Sequence, residues 1–196
     1  MASYRGLAAV SRGILKLLED ACPRAEFPNA QFELHQALDF MKGAPGEGVS
    51  LFLYRIAVNG TRRTLRGRVD PDGRRFKPPL PLDLCYALCT WGRTPDVQQR
   101  LLGFCMRALE DTPILPPGLL NQHGPEPTTF RSDEAVEIVC DPLNLQDLNV
   151  LWTLLKPNVP LAATYVARFV PLESDLAITE APEVQVRTFD MVGGPA

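Results

Sequence analysis

Imidazole is the scarcest chemistry in this chain: His35 and His123 are the only histidines among 196 residues. That excludes a histidine-rich metal centre and leaves little for acid–base catalysis near neutral pH. No serine sits in a Gly-x-Ser-x-Gly elbow. The glycines at 43, 46 and 48 lack both the Lys-Ser/Thr pair and the following helix of a phosphate-binding loop. No two cysteines have the two-residue spacing of a zinc site. Cys85 and Cys89 are four apart, which on a strand puts them on one face about 13 Å from each other, too far for one metal ion or a disulfide. Glu19-Asp20 and Glu110-Asp111 are adjacent carboxylates at the ends of helical patterns, where a solvated face is the simplest reading. The expectation is a chain with no catalytic residue, no metal ligand and no cofactor.

Other absences narrow the class. Charges or prolines interrupt every apolar run before the roughly 18 residues of a membrane span, so no membrane partner is expected. Arg5, Arg12 and Lys16 are spread through the first patterned segment, unlike the basic head and apolar stretch of a signal peptide, so assembly in the cytoplasm is expected. There are no internal repeats. Five cysteines, an odd number without regular spacing, suggest thiols that act as small hydrophobes in a reducing compartment. Proline, in contrast, is abundant at 19 residues, concentrated at the joints between patterned segments. Hydrophobic residues at 45 % and charged residues at 22 % are ordinary for a globular domain.

The patterns predict alternating groups of helices and strands. Leu7, Val10, Ile14, Leu17 and Leu18 form a helical stripe that ends near Pro23. Phe32 and Leu34 alternate with polar neighbours. Val49 to Asn59 predicts a central strand, with Phe52, Tyr54, Ile56 and Val58 on one face and Leu51, Leu53, Arg55 and Ala57 on the other. Leu82, Leu84, Tyr86 and Leu88 predict another, pairing only after prolines 78, 79 and 81. Thr94-Pro95-Asp96 opens a helix that closes at Thr112-Pro113. Residues 113–133, with five prolines, read as a loop. A strand follows over 135–140. Then comes a helix capped by Asn144, with Asp147 in capping-box position and Leu145, Leu148, Leu151, Trp152 and Leu155 as its apolar face. Residues 163–172 predict a last strand. The fold class is α+β, a mixed, mostly antiparallel sheet with about three helices packed on it.

Charge is unevenly distributed. Residues 59–77 carry Arg62, Arg63, Arg66, Arg68, Arg74, Arg75 and Lys77 against Asp70 and Asp72, an excess of +5 in a chain whose net charge is -3, which leaves -8 elsewhere. With Asp70-Pro-Asp-Gly73 as a turn, 59–79 reads as a long basic loop or extended hairpin. The end of the chain is acidic, with Glu180, Glu183 and Asp190 against Arg187. Arginine's forked geometry favours carboxylates, so a protein-docking segment is the main reading. A nucleic-acid-binding module acting through 59–77 is the alternative, disfavoured because Phe76 is the lone aromatic there.

Five stretches in order resemble one family: Val49-Ser-Leu-Phe-Leu-Tyr-Arg-Ile-Ala-Val-Asn59; Pro78-Pro-Leu-Pro-Leu-Asp-Leu-Cys-Tyr-Ala-Leu88; Arg100-Leu-Leu-Gly-Phe-Cys-Met-Arg-Ala-Leu-Glu-Asp-Thr-Pro113; Leu143-Asn-Leu-Gln-Asp-Leu148 with Leu151-Trp152; and Tyr165-Val-Ala-Arg-Phe-Val170. The family is the cap, or tail-terminator, proteins of phage-tail-like contractile injection systems, as in virulence-cassette and antifeeding particles. The resemblance runs from about residue 5 to 175 and departs from the pattern at Cys85 and Cys89. It implies a phage-tail-terminator fold over 1–175, an acidic tail over 176–196, and a minimal version without a longer C-terminal extension. It also implies a non-enzymatic structural protein: a homohexameric ring that ends growth of the inner tube and sheath and holds the last sheath layer, with tube and sheath proteins as partners. The basic residues named above, together with Glu180, Glu183 and Asp190, are expected to form the subunit and sheath contacts.

Overall fold

The computed structural model of the chain describes residues 4, 6–42, 46–61, 65–124, 126–155 and 160–178. Four helices, α1 (Gly6–Ala21), α2 (Pro95–Asp111), α3 (Pro117–Gln122) and α4 (Leu145–Leu154), pack on a six-stranded sheet. Its strands are β1 (Gln31–His35), β2 (Gly48–Val58), β3 (Leu80–Trp91), β4 (Ile114–Leu115), β5 (Val136–Cys140) and β6 (Leu161–Leu172), in the order β1-β2-β3-β6-β5-β4. Only β1 and β2 run parallel; every other pair is antiparallel. The α+β class and the mixed, mostly antiparallel sheet are as the sequence predicts.

Each strand of the sheet's centre buries apolar side chains on both faces. Leu82, Leu84, Tyr86 and Leu88 of β3 meet Val10, Ile14 and Leu18 of α1 and Leu101 and Cys105 of α2 in the main core. Tyr86 reaches through this layer, its hydroxyl 2.8 Å from Ser11 Oγ, so the buried phenol keeps a polar partner. On the opposite face Ala87, Cys89 and Trp91 pack with Phe40, Leu151 and Leu155, which come from a 3₁₀ turn at Ala37–Met41 and from the C-terminal part of α4 and its cap. Trp91 Nε1 donates to Ser50 Oγ at 2.8 Å. His35, the last residue of β1, meets Phe40 edge to face and Trp91 at a tilt, with Nε2 3.4 Å from Glu33.

Several expectations need correction. The segment 113–133 is not only loop: it contains β4 and α3, because Pro117 fits a helix's first turn and Leu115 and Leu120 bury there. β3 starts at Leu80 and includes Pro81, which stands opposite Pro171. Pro81 turns its carbonyl toward β2, where it accepts from Asn59 N at 2.9 Å; the reciprocal bond to Asn59 is the one its missing amide forgoes, at the end of the ladder. The alternation along β2 fails beyond a bulge, since Leu53 pairs with Tyr86 and Arg55 with the next residue, Cys85. Tyr54 is the extra residue, so Ile56 and Val58 turn to the face opposite Phe52. There they stand about half exposed, opposite Leu84 and Leu82. Leu145, assigned to the buried face of α4, is 84 % exposed. Asn144 caps α4 as expected by accepting from Asp147 N, but Asp147's carboxylate accepts from the Asn144 side chain, not from its backbone amide. Cys140 is exposed, whereas the other four thiols are buried.

Candidate protein–protein interface

The segment between β2 and β3 is an arm, anchored at its base by one carboxylate. Asp83 accepts from Asn59 Nδ2 with both oxygens, at 3.0 and 2.8 Å, while Asn59 Oδ1 accepts from Thr61 N. The same Asp83 accepts from Phe169 N at 3.2 Å. Phe169 has φ of 59°, a left-handed conformation unusual for a bulky residue, at a bulge where β6 supplies one residue more than β3. The Asp83 contact compensates part of that strain.

Farther out, the arm becomes a three-stranded ribbon. Asp70-Pro-Asp-Gly73 makes the expected turn, with Gly73 at φ 79° and its N–H donating to Asp70 O. Val69 pairs with Arg75, and Phe76 N donates to Arg68 O at 2.8 Å. The third strand comes from the far end of the chain: Phe76 pairs with Ala177, Lys77 N donates to Leu176 O, and Ile178 N donates to Arg75 O. The two backbones near the base touch, since a β-carbon on Gly67 would fall 1.9 Å from Phe76 O.

The expected interface residues separate into distinct roles. Arg68 is used inside the arm: its guanidinium lies 3.7 Å from the Phe76 ring centroid and 2.5 Å from Asp70 Oδ1, and its side chain is only 10 % exposed. Phe76 is thereby covered on that face and not open for base stacking. Arg66, Arg74, Arg75 and Lys77 are exposed. Arg62, Arg63, Glu180, Glu183 and Asp190 lie outside the described residues.

Two concavities flank the base of the arm. One, about 450 Å³, lies between Arg66, Pro79, Ile114, Arg168 and Phe169. The other, about 1020 Å³, is acidic, lined by Glu126, Asp133 and Asp175 above Pro117 and Pro127. A cation there is Arg131, already committed to carboxylates of its own chain: Nε lies 3.0 Å from Glu134 Oε1 and 3.5 Å from Asp133 Oδ1, and Nη1 lies 3.8 Å from Glu173 Oε1. Nothing in the sequence pattern marked this acidic pocket, because its carboxylates Glu126 and Asp133 are far from Asp175 in the chain and meet it only through β5 and β6.

Burial raises all five thiols above their ordinary value. Burial pushes the Cys89 and Cys105 thiols up to about 12, the opposite of an activated thiolate. No cluster of three or more metal-ligating side chains occurs among the described residues. Lys16 engages the Glu19-Asp20 pair, and Arg107 engages Asp111.

The family profile described as the Pvc16 N-terminal domain matches residues 9–186. Among solved structures, the fold is similar to the sheath/tube terminator, in its extended state, of PVC, an extracellular contractile injection system: TM-score 0.59, 17 % identity, over 96 % of this chain and 63 % of that one. It is also similar to the tube-terminating cap of the anti-feeding prophage: TM-score 0.58, 17 % identity, over 92 % of this chain and 60 % of that one. The chain thus spans less than two thirds of either terminator. No curated protein matches it.

Proposed function

The chain belongs to the Pvc16 N-terminal domain family, and from that premise we propose that it is a structural cap, a tail terminator, of a contractile injection system. The observation that carries this reading is the agreement of the family match with a fold that spans nearly the whole chain and is similar to two terminators. In this reading residues 1–175 form the capping domain and 176–196 an acidic tail. Six copies make a ring at the end of the tube and sheath, stop further addition and hold the last sheath layer to the tube. The partners are a second copy, the sheath protein and the inner tube protein. The cap acts by occupancy, without catalysis. Assembly takes place in the bacterial cytoplasm, at the end of a particle that is then retained or released.

Physical logic supports the reading. Tube and sheath grow by repeated head-to-tail contacts that stay open until something blocks them. A terminator must match the last layer on one face and offer no equivalent surface on the other. The exposed cations of the arm, with Arg62 and Arg63, and the acidic Glu180, Glu183 and Asp190 supply contacts between copies and to the sheath. The test is the length distribution of particles imaged with and without this gene. A narrow distribution that broadens, or frays at the end away from the baseplate, is the expected result. Particles of unchanged length would overturn it.

A further inference from the structure

We infer that the outer face of the 65–77 arm docks into the acidic pocket of a second copy of this chain. The inference rests on the self-association proposed above, not on capping itself. Cross-strand neighbours share a face of a ribbon, so Val69, Arg75 and Ile178 lie on one side, together with the Lys77–Leu176 pair. That side leaves Val69 60 %, Leu176 62 % and Ile178 44 % exposed, an apolar strip bordered by cations. Exposed apolar area with a polar rim is the composition of a binding face. The other side is closed by Arg68 stacked on Phe76.

The matching surface is the pocket bearing Asp133 and Asp175 over Pro117 and Pro127, acidic where the arm is basic and apolar where the arm is apolar. Its Arg131 faces Asp133, Glu134 and Glu173, three carboxylates against one cation, and the balance leaves the rim negative. The arm does not fill this pocket on its own chain, since none of residues 65–77 lines it. Arg131 and Asp133 also line the concavity beside Arg66, so the pocket lies at the arm's base. The contact therefore joins two different patches, a heterologous interface that makes a ring when its rotation closes.

The experiment measures self-association of the purified full chain by sedimentation velocity, for the parent and three variants. These are Arg75→Glu with Lys77→Glu on the arm, Asp133→Lys with Asp175→Lys in the pocket, and all four changes together. Each half-variant is expected to weaken association about tenfold or more, and the four-fold variant to restore it, because the pairing is reversed, not removed. Unchanged association in both half-variants overturns the inference. So does weak association that the combined variant fails to restore; the ring reading then survives with a different contact. A parent chain that stays monomeric up to its solubility limit overturns the inference and the ring together, while particle-length imaging still tests capping. If a half-variant loses its cooperative thermal melt, Lys77→Ala and Asp175→Ala carry the same comparison, and unchanged association in both is again the overturning result.

Discussion

Arg68 is the residue whose chemistry differs most from what its neighbours in sequence suggest. It is one of seven cations in the basic segment, yet its guanidinium is held by a ring and a carboxylate of its own arm. Arg68→Ala should therefore loosen the ribbon by about 1–2 kcal/mol, from the lost ion pair and the cation–π contact together. Hydrogen exchange of amides 68–77 should accelerate, with little change in the melting of the body. The thiols provide a second residue-scale test. In native protein only Cys140 should react readily with a thiol reagent, faster as pH rises, since its own thiol is raised by partial burial and the neighbouring Asp141. Cys89 and Cys105 should react only on unfolding. Their folded values are raised, so the folded state holds protons that the unfolded state releases as pH climbs from about 9 toward 12. Stability is therefore full below that window and declines through it, which alkaline denaturant titrations would measure.

At the scale of elements, the helix with a complete local signal was fully legible. Thr94 caps α2 by accepting from Val97 N at 3.3 Å, Pro95 opens it and Thr112 closes it. Thr94→Ala should cost about 1 kcal/mol, read as a lower denaturation midpoint. The elements missed were those specified from elsewhere. α3 and β4 are too short to show a period and form because Leu115 and Leu120 enter the core. The bulges in β2 and β6 are set by register with β3 and leave no local mark. The same holds for the arm: its cations were visible as a charge run, but residues 176–178 reach it only through tertiary pairing. Gly67→Ala tests this element directly. Its β-carbon would meet Phe76 O, so the variant should disorder the ribbon and sensitise 65–78 to protease while the core still melts cooperatively.

At the scale of the molecule, charge divides the surface into a basic arm and an acidic pocket beside its base. Reversing Arg62, Arg63 and Arg66 should weaken ring formation or sheath attachment, and capping unchanged by that variant would remove these residues from the interface. Assembly should also weaken between low and high salt, over the range in which the Debye length falls from about 30 to 3 Å. The sheet's topology has a mechanical consequence as well. β2 runs into the arm, β3 runs out of it, and β6 leads into its third strand, all at the same end of the sheet. These are three adjacent strands, and their hydrogen bonds lie across the strand axes. A pull on the arm along those axes is therefore shared by three neighbouring strands, whose bonds to the rest of the sheet are loaded together in shear. The arm is rooted where the sheet can bear tension, and it should detach from a partner before it unravels from its own body.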